Sequence, residues 1–123
     1  MGLSFPGTGL QFTKLWTNPK PNENFSAQDI MVDLSGFDAV YIANQKGTSA
    51  IVMIGQEFND TTMNAWGNGN IGGAYSLQCR RFIVKTDRVT VQNCSFVNGN
   101  SADGTTSNGW SVPLVIYGVN FGG

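Results

Sequence analysis

The sequence consists of short apolar segments separated by clusters of turn-forming residues, and this pattern restricts the chain to β folds. Ile30, Val32 and Leu34 alternate with more polar neighbours, as expected for a half-buried strand. Residues 39–43 and 50–54 are apolar at both odd and even positions, so both faces of a strand there would be apolar. This is typical of short strands that are covered on both faces. No segment keeps an apolar helical period for more than about two turns of ~3.6 residues. We therefore predict an all-β chain of about seven to eight short strands in an antiparallel β-sandwich, jelly-roll-like or immunoglobulin-like.

The length of the chain sets its domain organisation. A chain of 123 residues has room for one hydrophobic core and not for a second. We predict a single β-sandwich domain over residues 1–123, with residues 1–9 as a flexible N-terminal arm.

Three positions predict local irregularities in the strands. The alternation of apolar and polar residues slips near Arg80–Arg81 and again near Asn93, which predicts a bulge or twist at each place. Pro113 cannot donate a ladder hydrogen bond, so we expect it at the start of the last strand or facing a sheet edge.

The charge content disfavours several kinds of partner. Charged residues make up 12% of the chain, and seven Lys and Arg face eight Asp and Glu, for a formal charge of −1. General nucleic-acid binding needs a basic excess, so we expect no nucleic-acid partner. The sequence has neither an apolar run long enough to cross a bilayer nor the pattern of a signal peptide, so we expect no membrane insertion.

The residue types that most enzymes depend on are missing or badly spaced. The chain has no histidine, which removes histidine bases, histidine triads and histidine metal ligands. Asp29 and Asp33 would share one face of a strand at about 13 Å, at ~3.3 Å per residue, which is too far for the paired carboxylates of a glycosidase. We therefore expect no catalytic residues, no metal and no cofactor. A small hydrolase or lyase acting on polysaccharide would need a carboxylate pair that this spacing does not offer.

Two other motifs have ordinary structural interpretations. Cys79 and Cys94 are either two thiols acting as small hydrophobic side chains or one bridge between neighbouring strands. Residues 67–72 match the G-x-G-x-x-G pattern of dinucleotide sites, but the residues that follow have the pattern of a strand and not of a helix. We interpret this segment as a loop between strands.

The candidate ligand-binding residues come from two features of the sequence. Trp66 and Trp110 lie in Asn- and Gly-rich segments, and an aromatic face beside amide side chains is suited to sugars. The alternative is that these rings close an end of the sandwich or pack against a neighbouring subunit. The basic cluster at residues 80–88 could meet an acidic group or form a solvated face. The candidates are Trp66, Asn68, Asn70, Trp110, Arg80 and Arg81.

Three stretches of the chain together resemble a known family. They are residues 15–28, which include LWTNPKP and FSAQ, residues 32–40 (VDLSGFDAV) and residues 112–119 (VPLVIYGV). In this order they resemble a small β-sandwich domain of bacteriophage and prophage tail-module proteins, tail-fibre-like or minor structural.

The resemblance implies a fold and a context. It implies a non-catalytic virion structural protein, made in the bacterial host cytoplasm and associated with the tail as an adsorption or receptor-binding module. Trp16 and Asp38 would be framework positions and Tyr117 a core residue of the last strand. The resemblance does not extend to residues 45–109, where we expect binding. The alternative is a capsid decoration or head–tail assembly protein with no host ligand.

The apolar segments also indicate partners. Runs that are apolar at both parities supply more apolar surface than one small sandwich needs. We therefore expect a homo-oligomer, with a trimer favoured, and contacts with other virion proteins. A host surface glycan is the expected ligand if the chain binds a receptor.

Overall fold

The computed structural model describes residues 2–4, 9–65, 75–99 and 108–122, and within these residues every regular element is a strand. The ten strands are β1 Gly2–Ser4, β2 Gln11–Thr17, β3 Gln28–Met31, β4 Ala39–Gln45, β5 Ala50–Met53, β6 Glu57–Ala65, β7 Tyr75–Val84, β8 Arg88–Val91, β9 Ser95–Gly99 and β10 Val112–Asn120. The prediction of an all-β chain is confirmed.

The strands form two antiparallel sheets. Sheet A has the order β1-β2-β10-β4-β5, so the last strand lies in its centre. Sheet B has the order β3-β8-β7-β6, and β9 pairs with the first half of β7. The chain changes sheet after β2, β3, β5 and β9, consistent with the predicted antiparallel sandwich. The segment expected to be an N-terminal arm contributes the edge strand β1.

The core lies between the inner faces of the two sheets. Ile42 and Ile116 from sheet A and Phe82 from sheet B are fully buried there. Phe58 stacks on Phe82 with a centroid distance of 6.1 Å. Alternating apolar side chains place one face of each strand in this layer, as the period-two pattern requires.

A bulge in β2 explains how two successive bulky residues reach this core. Ile116 pairs with Trp16, but Tyr117 pairs with Lys14, so Leu15 is the extra residue. Leu15 and Trp16 therefore both pack against the core. Trp16, which was expected to be a framework position, meets Phe25 edge-on at 6.1 Å.

The two irregularities predicted for this part of the chain can be compared with the pairing of β7 on each of its sides. The slip near Asn93 is confirmed, because residues 92–94 separate β8 from β9 along one side of β7. β7 itself has no bulge near Arg80–Arg81, since it pairs with β6 without a register shift along all nine partner pairs. The twist that was the alternative there stays a prediction. Pro113 is the second residue of β10, at the start of the strand as predicted.

The outer face of sheet A carries an aromatic cluster. Phe12 meets Tyr41 and Tyr117 edge-on at 6.0 and 6.1 Å, and the two tyrosine rings lie 6.2 Å apart. Tyr117 was expected in the core. It lies instead on this outer face, because its neighbour Ile116 points inward and successive strand residues alternate.

The outer face of sheet B is charged. Arg88 pairs with Asp29 at 3.1 Å and with Asp87 at 2.9 Å, and Thr90 donates a 2.7 Å hydrogen bond to Asp29. The Thr90 hydrogen bond, assisted by Arg88, holds the pKa of Asp29 below its ordinary value. The hydrogen bond from Arg88 lowers the pKa of Asp87 in the same way.

These lowered pKa values predict a loss of stability in acid. A carboxylate whose pKa is lower in the folded state stabilises the fold above its unfolded pKa of about 4, and this contribution disappears as the pH falls through the folded value. We expect the urea midpoint to fall between pH 4 and pH 2, and to fall less in Asp29→Asn. Urea titrations of wild type and Asp29→Asn across this pH range test the prediction. An equal acid dependence in the two proteins would contradict a role for Asp29.

Candidate functional site

Arg80 is the most unusual residue in sheet B, because its side chain is 0% exposed. Its guanidinium donates five hydrogen bonds of 2.8–3.2 Å to backbone carbonyls. The acceptors are the carbonyl oxygens of Phe25, Gln92, Asn108 and Trp110, the last of which accepts two of the bonds. Five is the full donor capacity of an arginine, so every N–H of the group has a partner.

The environment of Arg80 has two opposing electrostatic effects. Burial lowers the pKa of the guanidinium, whereas electrostatic interaction with Cys94 and with the Asp60 carboxylate raises it. Arginine remains protonated in proteins, so Arg80 carries its charge inside the fold. The interruption between β8 and β9 is what frees the Gln92 carbonyl to accept from it.

Asp60 lies opposite Arg80 in the β6–β7 pairing and is also fully buried. Both of its carboxylate oxygens accept from the Thr48 backbone N–H at 2.9 Å, and Oδ2 accepts from Asn44 Nδ2 at 3.3 Å. These bonds attach the β4–β5 turn to sheet B. A Cβ at Gly47 would overlap Asp60 Oδ2, so the turn approaches the carboxylate as closely as a glycine allows.

The two buried charges support three chain segments that meet at one end of the sandwich. Arg80 binds the end of the segment before β3 through Phe25, and the turn before β10 through Asn108 and Trp110. Asp60 binds the β4–β5 turn. Further bonds join the segments to one another, from Phe25 N to Asn108 O at 2.9 Å and from Ser111 N to Lys46 O at 3.2 Å.

These three segments enclose a surface cleft of about 230 Å³. It is lined by Pro21, Asn22, Glu23, Asn24, Gln45, Lys46, Gly109, Trp110 and Val112. Trp110 is half-buried, and Lys46 Nζ lies 5.9 Å from the centre of its ring. Its described lining therefore offers one aromatic ring, three side-chain amides, one carboxylate and one ammonium.

The backbone at this cleft is strained. Lys46 has a φ of +55° and Ser111 a φ of +51°, and no other non-glycine residue in the described ranges has a left-handed backbone. Such a conformation costs on the order of 1–3 kcal/mol and concentrates at binding sites and turns. The two residues flank Trp110 and are joined by the Ser111–Lys46 hydrogen bond. The strain therefore supports a functional interpretation of this end of the molecule.

A second cleft of about 250 Å³ adjoins the first. Glu23 and Asn24 line both, and Trp16 lines the second cleft. The segment before β3 thus separates two shallow sites, each with a tryptophan.

The structure places the residues singled out from the sequence in different environments. Trp110 lines the cleft. The expectation for Arg80 has to be corrected, because the side chain is buried beneath the cleft with its donors occupied, and it cannot reach a surface ligand. Arg81 points to the opposite face and forms an exposed ion pair with Glu57. The remaining candidates, Trp66, Asn68 and Asn70, lie outside the described residues.

Sequence reasoning missed most of the cleft lining. Asn22, Glu23 and Asn24 lie in the connection before β3, and Lys46 lies in the connection between β4 and β5; none of them was among the candidates from the sequence. Amide and charged side chains cluster in two connections, the one before β3 and the one between β4 and β5. This clustering is the signal that could have identified them, because the sandwich topology brings both connections to the same end of the molecule.

The other motifs do not add chemistry to the site. The glycine pattern at residues 67–72 lies outside the described residues, and the strand β7 follows it, as expected. Cys79 and Cys94 are free thiols, so the bridge alternative is not formed. Among the residues described, no group of three or more metal-binding side chains is assembled, and no helix could cross a membrane.

Comparison of the chain with protein-family models, with curated proteins and with solved structures gave no match. The resemblance to phage tail modules therefore stays a prediction.

Proposed function

We propose that the protein is a non-catalytic bacteriophage virion protein, associated with the tail, that binds a host surface glycan in the Trp110 cleft. The observation that carries the glycan proposal is the position of Trp110, which is held above a polar cleft by the buried Arg80. The virion context rests on the sequence resemblance.

The chemistry of the cleft suits a sugar. An indole ring covers the C–H face of a pyranose, and amide and carboxylate side chains exchange hydrogen bonds with its hydroxyls. Trp110 supplies the ring, and Asn22, Asn24 and Gln45 supply amides. Because the walls are attached to buried groups, little conformational entropy is lost when the ligand binds.

The same lining argues against hydrolysis. Glycosidases use two carboxyl groups placed about 5–9.5 Å apart across the scissile bond. Among the described residues that line the Trp110 cleft, Glu23 is the one carboxylate. A bound glycan would therefore be held and not cleaved.

Removing the indole tests the proposal. We expect Trp110→Ala to weaken binding at least about tenfold, which corresponds to ~1.4 kcal/mol, because the ring is the largest apolar contact in the cleft. Wild-type and variant proteins would be applied to an array of bacterial surface glycans and to host cells. Arg81→Ala, on the opposite face of β7, is the control and should bind like wild type. An array that stays blank for wild type, or equal binding by Trp110→Ala, would overturn the proposal.

The apolar outer face of sheet A favours a second candidate function, a capsid decoration or head–tail assembly protein that contacts other virion chains and no host ligand. Such a protein would be found on the head or at the connector, whereas an adsorption module would lie at the tail. Cryo-electron microscopy of intact particles distinguishes the two positions.

A further inference from the structure

The second cleft, the Trp16 cleft, repeats the chemistry of the Trp110 cleft. Its lining includes one tryptophan ring, three side-chain amides, one carboxylate and one ammonium, which is the set of groups that the described lining of the first cleft offers. These groups belong to Trp16, Asn18, Lys20, Glu23, Asn24 and Gln28. Two adjoining sites of the same composition suit a ligand that is built from similar units.

The indole of Trp16 is held in place by the fold. Trp16 is half-buried, packs against the core and meets Phe25 edge-on at 6.1 Å. It lines the cleft together with the exposed residues Lys20 and Gln28. A fixed aromatic ring beside polar side chains is suited to a sugar for the reasons given for Trp110.

The wall between the two clefts is part of the connection from β2 to β3, residues 18–27, and this connection is attached near both of its ends. At its start, the buried side-chain amide of Asn18 donates to the carbonyl oxygen of Pro113 at 2.9 Å. Near its end, the N–H of Phe25 donates to the carbonyl oxygen of Asn108 at 2.9 Å. Because both attachments are to the turn before β10 or to the start of that strand, the two clefts keep a defined spacing.

The polar residues of the wall belong to both sites. Glu23 and Asn24 are exposed, and each lines the Trp110 cleft and the Trp16 cleft. A carboxylate is a strong acceptor for hydroxyl donors, and an amide can both donate and accept. These two side chains can therefore bind hydroxyls on either side of the point where a ligand crosses the wall.

We propose that the Trp110 cleft and the Trp16 cleft are consecutive subsites for one linear oligosaccharide. One sugar unit packs on Trp110, another packs on Trp16, and the chain crosses the wall at Glu23 and Asn24. The inference rests on the proposed glycan function and adds that the ligand is a chain of at least two linked sugars. Neither cleft reaches the ~300 Å³ at which small-molecule pockets usually begin, whereas the two together exceed it.

Linked subsites predict that affinity rises with the length of the glycan. Once one unit is bound, the next unit meets its cleft at a high effective concentration, so the longer ligand gains affinity without a new kind of contact. We expect an oligosaccharide to bind wild type at least about tenfold more tightly than the matching monosaccharide.

Titration calorimetry of the full chain tests this expectation. The probe is polysaccharide removed from the surface of host cells, used intact and after mild acid hydrolysis into monosaccharide and oligosaccharide fractions. The variant is Lys20→Ala/Gln28→Ala, since both residues are exposed and line the Trp16 cleft but not the Trp110 cleft. It should lose most of the gain from chain length and keep its affinity for the monosaccharide fraction within about twofold of wild type.

The choice of residues keeps the fold intact. Trp16 is left in place because it packs against the core, and its removal would destabilise the protein. The matched control is Gln56→Ala/Lys85→Ala, which removes the same two exposed side chain types at the opposite end of the sandwich, after β5 and after β7. The control should bind both fractions like wild type, and far-ultraviolet circular dichroism checks that both variants are folded.

The outcomes separate this inference from the function on which it rests. If wild type binds neither fraction nor the intact polysaccharide, the glycan function fails and the subsites fail with it. If wild type binds both fractions equally well, or if Lys20→Ala/Gln28→Ala keeps the full gain from chain length, the subsites are overturned and the glycan function stands. An equal loss of affinity for both fractions in this variant would also overturn the subsites, because one sugar would then depend on both clefts.

Discussion

Replacing Arg80 by methionine is expected to lower the free energy of unfolding by about 3–5 kcal/mol, the cost of removing one partner from a buried charged cluster. Methionine fills much of the volume but donates no hydrogen bond, so four buried or half-buried carbonyls lose a donor. Asp60, fully buried and paired with Arg80 across the β6–β7 ladder, also loses its electrostatic interaction with that guanidinium. A loss of this size is a large part of the ~5–15 kcal/mol that stabilises a typical domain. Urea unfolding, followed by tryptophan fluorescence, measures the loss of unfolding free energy.

The neighbouring residue provides the control for this experiment. Arg81→Met removes the same side chain from an exposed ion pair with Glu57 and should cost less than about 1 kcal/mol. Arg80→Lys keeps the charge but offers at most three donors, so we expect an intermediate loss of about 1–3 kcal/mol. This milder change keeps the test decisive even if Arg80→Met does not fold. Equal losses at positions 80 and 81 would contradict the role assigned to Arg80.

The second large effect is expected at the β4–β5 turn. Gly47→Ala places a methyl group where Asp60 Oδ2 lies and 2.7 Å from Ser111 Oγ. Either the turn or the buried carboxylate must move, which breaks the bonds from Thr48 N to Asp60. We expect a loss of about 1–3 kcal/mol in unfolding free energy from overpacking. The affinity for any ligand of the cleft should fall as well, because Lys46, which immediately precedes Gly47, lines the cleft and would move with the turn.

Thr48→Ala is the matched control for the turn. It changes an exposed side chain of the same turn and leaves the backbone N–H that binds Asp60 in place. The unfolding free energy should stay within about 0.5 kcal/mol of wild type. Gly47→Ala with wild-type stability would show that the turn can shift away from Asp60 without loss, contrary to the close approach described above.

The strands were predictable because their signal is local. Alternation at Ile30, Val32 and Leu34 identifies an inner face without knowledge of its partner, and the segments apolar at both parities fall on β4 and β5. Arg80 and Arg81 show the limit of this reasoning. Both are arginines in the same strand, but Arg80 points into the sandwich and Arg81 points out of it.

The cleft was harder to predict because it depends on contacts between distant residues. Arg80 can be buried only because four carbonyls from three separate segments converge on it, and no property of the strand itself reveals them. The core position expected for Tyr117 came from the family resemblance, and the residues of β10 could not correct it. An apolar strand of a two-faced sheet does not indicate which of its faces is inner, and the bulge in β2 is what sets the register beside it.

The Arg80 hydrogen bonds have a consequence for how this protein matures. They join positions that are 12, 28, 30 and 55 residues apart in the sequence, so the Trp110 cleft has no local precursor and we expect it to form late in folding. A partly folded chain would lack recognition altogether. Ligand binding would therefore report on the integrity of the whole domain, and a ligand would protect even the most distant strand against proteolysis.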